Sequence, residues 1–233
     1  MKFIEAAKNK KIGITFKLTS YYKNYDFHFG QLDREKKYNI LEIGVRQGGG
    51  LWTLKEYFPN SSITGLDIDT KCKQHEDKNN DVEVFAGCQT DESFLKKIHQ
   101  NRGPFDIIID DGGHTMDQQK ISFLKLFPLM NNDGIYVIED LCTSYWPQFG
   151  GGGDKETTIN FLKQISDKST SRWASRCSEA AEYKNNAKID YYDKHVDSVH
   201  FHDSICFIYK KKFDEENLNE FITNYKKFGT IKL

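Results

Sequence analysis

Two apolar segments of the sequence each end in a pair of carboxylates. The run 105–109 is followed by Asp110–Asp111, and the run 135–138 is followed by Glu139–Asp140. Each run is typical of a buried strand, and ligands of an open α/β sheet bind at the carboxyl ends of its strands. If the two strands are neighbours, these acids and His114 converge there. Because carboxylates at that density repel one another and resist ionisation, the pattern predicts a divalent cation bound beside a histidine.

Each of these groups also has a simpler explanation when it is taken alone. Asp110–Asp111 could cap the following helix, Glu139–Asp140 could face solvent in a loop, and His114 could bond to backbone in its glycine turn. Acidic pairs at both strand ends argue against coincidence, so we favour a metal site.

A second chemical pattern follows the first predicted strand. Glu42, Gly44, Arg46 and Gly48 recur at every second position, and Asp67 lies 23 residues after Gly44 at the end of the next strand. Glycines let the backbone approach a ligand, the following helix offers free N–H groups, and the acid suits ribose hydroxyls. NAD(P), FAD and S-adenosylmethionine proteins share this pattern, and a tight turn that needs glycine is the alternative. S-adenosylmethionine is favoured because Glu42 would face a cationic ligand rather than a pyrophosphate, and because Arg46 replaces the middle glycine of the dinucleotide fingerprint.

The elements that must position these residues alternate between strands and helices. Apolar runs bounded by turn residues predict strands at 38–43, 62–66, 82–85, 105–109 and 135–138, and a further pair at 198–202 and 204–209. Helical spacing predicts helices at 51–58, 91–100, 117–129, 157–166 and 215–228. Such alternation indicates parallel βαβ units whose strands are covered on both faces. Residues 1–37 are predicted to form one or two helices or a lid, and residues 38–233 the main domain.

Composition excludes several classes of protein. With 33 basic and 34 acidic residues and a net charge of -1, the 233-residue chain lacks the basic footprint of a nucleic-acid binder. No apolar stretch approaches the roughly 20 residues of a membrane span, and the N-terminus lacks the apolar core of a signal peptide. The five cysteines form no CxxC pair, which is typical of reduced thiols. We therefore expect a cytoplasmic protein that contacts neither nucleic acid nor membrane.

Six segments of the sequence resemble one family. They are 41–45 (LEIGV), 65–69 (GLDID), 109–114 (IDDGGH), 138–141 (IEDL), 143–147 (TSYWP) and 198–205 (SVHFHDSI). In this order, across residues 38 to 210, they are similar to the macrolide sugar O-methyltransferases of the macrocin and mycinamicin type. These are class I S-adenosylmethionine-dependent methyltransferases. The resemblance implies a Rossmann-like α/β fold, with a mostly parallel seven-stranded sheet, helices on both faces and an antiparallel C-terminal hairpin.

The resemblance also implies roles for residues of this sequence. Family members use S-adenosylmethionine and Mg²⁺, so the metal ligands would be Asp111, Glu139 and Asp140, and His114 would act as the base. The cofactor residues implied by the resemblance or by the glycine turn are Glu42, Gly44, Arg46, Gly48, Asp67, Gln89 and, in a supporting position, Asp110. The sequence departs from the family at Gly113, where serine is usual, and at Cys88, where aspartate is usual. The second departure bears on how adenine is bound.

The implied reaction is methyl transfer to a sugar hydroxyl. Mg²⁺ prefers oxygen ligands and keeps positions open that two neighbouring hydroxyls can fill, which lowers the pKa of the hydroxyl. A histidine near its usual pKa of about 6.5 can take the proton. Tyr145 and Trp146, close to the glycines at 150–153, are candidates for stacking on the sugar, with packing as the alternative. His200 and His202 share a strand face and are expected to pack or to contact substrate.

Two other functions are also compatible with the sequence. A methyltransferase of the same fold acting on a catechol or another vicinal diol would use the same carboxylates. A cofactor-binding protein without activity is the third alternative, although the intact acids and His114 argue against it. We expect a homo-oligomer that acts on a small sugar substrate, carried on a nucleotide, a polysaccharide precursor or a natural product.

Overall fold

The centre of the molecule is a seven-stranded sheet in the order β3-β2-β1-β4-β5-β7-β6. The computed structural model describes residues 1–8, 14–153, 155–177 and 190–213. The strands are β1 Asn39–Ile43, β2 Ser62–Asp67, β3 Val82–Ala86, β4 Ile107–Asp110, β5 Ile135–Ile138, β6 Val196–Phe201 and β7 Cys206–Lys210. β1 to β5 pair in parallel, whereas β7 is antiparallel to both β5 and β6. The predicted mostly parallel sheet with an antiparallel C-terminal hairpin is therefore confirmed.

Strands β4 and β5 show why apolar runs occupy the middle of the sheet. Every residue of Ile107–Asp110 and of Ile135–Ile138 is buried. Alternate side chains of a strand point to opposite faces, so Ile107 and Ile109 join one core cluster while Ile108 joins the other. A strand covered on both faces needs an apolar residue at nearly every position, and the sequence of both strands meets that need.

Helices cover both faces of the sheet. They are α1 Phe3–Ala7, α2 Thr19–Phe29, α3 Gly49–Tyr57, α4 Glu92–Arg102, α5 Met116–Leu126, α6 Thr158–Cys177 and α7 Tyr191–His195. Side chains of α1 to α3 pack in one core cluster and those of α4 to α6 in the other. Local sequence sets two of the starts, because Asp91 caps α4, and Thr115 and Gln118 form a capping box on α5.

Several predicted boundaries were wrong. The helix predicted at 117–129 ends at Leu126 and is followed by a 3-10 turn, Phe127–Leu129; Pro128 has no N–H to donate and clashes with a preceding carbonyl. The helix predicted at 157–166 continues to Cys177, through polar residues whose sequence carries no apolar period. The helix predicted at 215–228 lies outside the described residues.

The C-terminal hairpin is also displaced from its prediction. Its strands run over 196–201 and 206–210 rather than 198–202 and 204–209. The turn between them takes up His202–Ile205, where the His202 N–H donates to the Ile205 carbonyl at 2.8 Å. Ser204 has a φ of 61° in that turn, which removes it from the strand.

Residues 1–37 supply helices α1 and α2, joined to the core by aromatic rings. The rings of Phe3 on α1 and Tyr25 on α2 stack at 4.5 Å, and Tyr25 packs edge-on against Phe207 of β7 at 5.5 Å. Residues 14–18 have no regular secondary structure and lead directly into α2. The division of the chain at residue 37 stays a prediction. Among the described ranges, no helix combines the length and apolar character needed to cross a bilayer.

Candidate functional site

The carboxyl ends of β1, β4 and β5 meet at one edge of the sheet, as the sequence predicts. β4 pairs in parallel with β1 on one side and with β5 on the other. The chain leaves β4 and β5 through turns in which His114 and Asp140 adopt left-handed conformations, with φ of 58° and 55°. The Thr143 hydroxyl lies within hydrogen-bonding distance of both turns, at 3.0 Å from the His114 carbonyl and 2.8 Å from the Asp140 carbonyl. The two turns are therefore held together.

Three of the predicted chemical residues come together at this edge. Ligand atoms of Asp111, His114 and Asp140 all lie within 4.8 Å of one another. His114 Nε2 lies 3.4 Å from Asp140 Oδ2 and 3.9 Å from Asp111 Oδ1. The side chains are only partly buried, which leaves them open to a ligand. Carboxylate oxygens beside an imidazole nitrogen are a donor set that fits a divalent cation.

The third predicted metal ligand, Glu139, lies outside this cluster and is directed toward the N-terminal part of the chain. Its side chain is 1% exposed, and its Oε1 accepts hydrogen bonds from Lys17 Nζ at 2.6 Å and from the Tyr25 hydroxyl. The same Lys17 Nζ donates to Asp111 Oδ2 at 2.8 Å and lies 3.7 Å from Glu42 Oε1. One buried ammonium group thus joins three carboxylates that come from three different strands.

Sequence reasoning missed Lys17, Tyr21 and Tyr25. The Tyr21 hydroxyl donates to Asp140 Oδ1 at 2.8 Å and accepts from the Asp140 N–H at 3.1 Å. Tyr21 and Tyr25 stand four residues apart on α2 and therefore share a face, which is a signal that could have been read. Lys17 carried no such signal, because nothing in the flanking sequence separates it from the other basic residues.

Burial raises the pKa values of carboxyl groups at this edge. Burial and the neighbouring Asp111 raise the pKa of Glu139 to about 8, although Lys17 opposes the shift. Burial also raises the pKa of Glu42 and of Asp110 to about 7. For Lys17, burial favours the neutral amine, but Asp111 and Glu139 outweigh burial and raise its pKa well above the usual value. The edge is therefore short of positive charge, which is the condition that favours cation binding.

The glycine turn after β1 is tied to the same edge. Gly44 has a φ of 93°, and a Cβ atom there would overlap the Asp111 carbonyl oxygen, so only glycine fits. Asp67 Oδ2 accepts from the N–H groups of Val45 at 2.8 Å and Arg46 at 2.9 Å. Burial alone would raise the pKa of Asp67, but these backbone donors outweigh burial and lower it. Asp67 is thus an ionised carboxylate on the pocket wall that also fixes the turn.

Glu42 lies beside the first turn of α3. It is 1% exposed, and within the described part of the chain its Oε2 has no hydrogen-bond partner. Gly50 leaves the room that this carboxylate needs, because a Cβ atom there would overlap it. A buried oxygen without a partner costs free energy, so Glu42 is suited to a polar or cationic ligand.

The other predicted cofactor residues support the pocket. Gln89 Oε1 accepts from the Gly113 N–H at 2.8 Å, and its Nε2 donates to Asp110 Oδ1 at 3.1 Å. Asp110 is fully buried, which suits a supporting position. Gly48 has a φ of 76° and precedes α3, where a Cβ atom would lie 2.6 Å from the His75 ring, so its role in the structure is to shape the turn.

One pocket joins the glycine turn to the acids. It has a volume of about 520 Å³, and residues 14–17 form part of its wall. The predicted residues that line it are Glu42, Gly44, Arg46, Asp67, Gln89, Asp111, His114 and Asp140. A ligand bound at the glycine turn would therefore face the acids and His114 across a single cavity.

Tyr145 and Trp146 lie on the surface beyond Asp140. They are 69% and 45% exposed, and the Trp146 ring lies 5.8 Å from the Phe149 ring. Of the following glycines, Gly151 marks a close approach of two backbone segments, because a Cβ atom there would overlap the carbonyl oxygen of Ser144. The exposed aromatic pair stays a candidate for contact with a substrate.

His200 and His202 pack against α2, away from the acids. His202 Nε2 lies 2.8 Å from Nε2 of His28, and the rings of His200 and His28 are 5.2 Å apart. The His28 ring in turn stacks on Phe207 at 3.9 Å. This arrangement agrees with the packing alternative for the two strand histidines.

Comparison with known proteins gives close relatives at the sequence level. The chain is 35% identical over 210 residues to mycinamicin VI 2''-O-methyltransferase of Micromonospora griseorubida, covering 85% of this chain and 50% of the relative. It is 34% identical over 198 residues to demethylmacrocin O-methyltransferase of Streptomyces fradiae, covering 80% and 47%. The chain spans about half the length of the curated relatives it matches. No protein-family model matches it.

A solved structure matches the fold at a similar level of identity. It is the MycE methyltransferase from the mycinamycin biosynthetic pathway in complex with Mg, SAH and mycinamycin VI. The two chains share 30% sequence identity and a TM-score of 0.76, over 93% of this chain and 56% of that one. A crystal form of MycE with Mg and SAH gives 32% identity and the same TM-score of 0.76, over 91% and 54%.

Proposed function

Because the chain belongs to the class I S-adenosylmethionine-dependent methyltransferases, as a homologue of sugar O-methyltransferases of natural products, we propose that it transfers a methyl group to a sugar hydroxyl. The observation that carries this proposal is the single pocket in which the glycine turn at Gly44 faces Asp111, His114 and Asp140. Methyl transfer requires donor carbon and acceptor oxygen to be held roughly 3–3.5 Å apart, which is possible only where cofactor and acceptor share one cavity.

The cofactor end of the pocket fits S-adenosylmethionine, which supplies the methyl group as a sulfonium. The fit rests on the buried, unpartnered Oε2 of Glu42 and on the close backbone approach that Gly44 permits. In our proposal Glu42 faces the positive part of the cofactor and Asp67 faces the ribose. Arg46 and Gln89 complete the wall around the cofactor.

The acidic end fits a hard divalent cation. Asp111, Glu139 and Asp140 supply carboxylate oxygens, the ligands that Mg²⁺ prefers. The Lys17 ammonium group, which bridges Asp111 and Glu139, shows that these acids already take up positive charge. When bound, Mg²⁺ would orient the acceptor hydroxyl and lower its pKa.

His114 is the proposed base. Its Nε2 lies 3.4 Å from Asp140 Oδ2 on the pocket wall, so it is within reach of a hydroxyl held beside Asp140. As the hydroxyl oxygen attacks the methyl carbon and the carbon–sulfur bond breaks, the hydroxyl proton would pass to His114. The neighbouring Asp140 carboxylate would stabilise the imidazolium ion that results.

The proposed acceptor is a sugar carried on a natural product, a nucleotide or a polysaccharide precursor. The relatives support a glycosylated natural product first, because one of them, of Streptomyces olivaceus, is named 8-demethyl-8-alpha-L-rhamnosyl tetracenomycin-C 2'-O-methyltransferase and so specifies a rhamnosyl acceptor. Tyr145 and Trp146, exposed beside Asp140, are proposed to contact the sugar. A homo-oligomer, a cytoplasmic location and an N-terminal helical or lid segment over residues 1–37 belong to the same proposal.

The test is methyl transfer from labelled S-adenosylmethionine to a panel of glycosylated natural products, nucleotide sugars and catechols. We expect turnover of a sugar acceptor that EDTA abolishes and Mg²⁺ restores. Turnover of catechols alone would replace the sugar proposal with the diol alternative. Binding of S-adenosylhomocysteine without turnover of any acceptor would favour a cofactor-binding protein, and turnover insensitive to EDTA would remove the metal.

A further inference from the structure

Lys17 is a buried cation placed among the acids by the segment before α2. Its side chain is 4% exposed, and its Nζ is hydrogen-bonded to Asp111 Oδ2 and to Glu139 Oε1 at 2.8 and 2.6 Å. Both acids are proposed metal ligands. The ammonium group thus uses oxygens that a divalent cation would also use.

A metal ion and this ammonium group cannot both occupy the space between Asp111 and Glu139. Two positive charges held only a few ångströms apart repel each other, and the repulsion is several-fold stronger near a protein surface than in bulk water. A divalent cation doubles that repulsion. Lys17 must therefore move when a metal takes these two oxygens.

The segment that carries Lys17 leaves its apolar side chains exposed. Ile14, Phe16 and Leu18 are 64%, 55% and 49% exposed, so they bury little apolar surface. Its other contacts include the Phe16 ring under the Arg46 guanidinium at 4.1 Å and the Thr15 hydroxyl at 3.2 Å from the Tyr22 hydroxyl. Ile14 and Thr15 also pack closely against Gly49, and the Leu18 carbonyl accepts from the Tyr21 N–H at 2.9 Å. A segment that buries so little apolar surface can open locally at low free-energy cost.

We propose that Lys17 is an internal cation that exchanges with the divalent metal at Asp111 and Glu139, and that metal binding releases residues 14–18 from the pocket. The inference rests on the metal site of the proposed function. Since Lys17 also lies 3.7 Å from Glu42 and residues 14–17 line the cofactor pocket, the same movement uncovers the cofactor end.

The first experiment follows the accessibility of Lys17 in the unaltered protein. The protein is treated briefly with an acetylating reagent in EDTA and in saturating Mg²⁺, and modified lysines are quantified by mass spectrometry. We expect Lys17 to be protected in EDTA and at least about tenfold more reactive in Mg²⁺. Lys23, exposed on α2, is the internal control and should react equally in both. Protection of Lys17 at saturating Mg²⁺ would overturn the exchange.

The second experiment measures Mg²⁺ affinity by calorimetry in Lys17→Met and, as a matched control, Lys23→Met. Loss of the competing charge should tighten Mg²⁺ binding by about tenfold or more in Lys17→Met, while Lys23→Met should match the unaltered protein. Weaker or equal binding in a folded Lys17→Met protein would contradict the exchange while leaving the metal site intact. Absence of Mg²⁺ binding in every variant would instead remove the metal site, and the exchange with it.

Discussion

Asp67 and Glu139, at the two ends of the pocket, are stabilised in opposite ways. At the cofactor end, Asp67 accepts from the backbone N–H groups of Val45 and Arg46, and these donors outweigh burial and lower its pKa. At the metal end, burial and the neighbouring Asp111 raise the pKa of Glu139 to about 8. Asp67 is therefore stabilised within its own turns, whereas Glu139, like Glu42, depends on a cation from elsewhere.

The largest expected effect is at the metal end, in Asp111→Asn. Removing this charge should lower methyl transfer by about 10³-fold or more, because a bound cation supplies several kcal/mol of transition-state stabilisation. Mg²⁺ calorimetry should show weakened binding in parallel. Asp117→Asn is the matched control, since the Asp117 side chain is 85% exposed. Full activity in Asp111→Asn would mean that the acids serve only the structure.

The second largest effect is expected from removing the proposed base, His114. His114→Ala should lower kcat by about 10²-fold or more, the usual contribution of a general base. Affinity for S-adenosylhomocysteine should be nearly unchanged, because the cofactor end does not depend on His114. A loss of cofactor affinity equal to the loss in rate would show that His114 has been given the wrong role.

The third effect is on the pH dependence of stability. Burial raises the pKa of Glu42 to about 7 in the folded protein, from 4.5. The group therefore contributes stability below pH 4.5, and this contribution is lost as the pH rises through 7. In EDTA, the titration of Glu42 should lower the free energy of unfolding by on the order of 3 kcal/mol between pH 5 and 8. Glu42→Gln should remove this decline. Chemical denaturation at several pH values measures it, and an unchanged slope in the variant would count against this account of Glu42.

Asp67 is the matching test for a carboxyl group whose pKa is lowered, rather than raised, in the folded protein. Its pKa is lowered in the folded protein from 3.8, so its contribution is present at neutral pH and is lost only as the pH falls below that value. Asp67→Asn should therefore lower stability at pH 7 and leave the slope between pH 5 and 8 unchanged. A changed slope there would mean that the two ends are coupled through charge.

The smallest effect is expected from Tyr25 of α2, which contacts the proposed metal ligand Glu139. Tyr25→Phe removes a hydrogen bond to Glu139, and loss of such an outer partner usually lowers metal affinity about 10-fold or somewhat more. Tyr192→Phe is the control, because the Tyr192 hydroxyl bonds to the Leu124 carbonyl on α5 instead. Equal Mg²⁺ affinity in the two variants would mean that Tyr25 only packs.

Much of the fold and of the candidate site could be predicted because short-range sequence patterns determine them. Apolar runs of β4 and β5 marked strands buried on both faces, and the acids that follow them had to meet once those strands were neighbours. The ends of α5 and α6 were harder to predict, because a proline stops one helix and tertiary packing extends the other through polar residues. The prediction also misplaced the C-terminal turn at His202–Ile205. Apolar residues flank this turn on both sides and do not mark where the two strands end.

Local sequence established which residues stand at the strand ends, because a strand followed by a turn is a short-range pattern and a parallel sheet brings equivalent ends to one edge. Only the tertiary structure decided what lies against those residues. Lys17 reaches Asp111 and Glu139 across 94 and 122 residues of sequence, and Tyr21 reaches Asp140 across 119. No spacing rule covers such distances, since these contacts arise where α2 and the segment before it pack against Phe207 of β7 and the residues that follow β5.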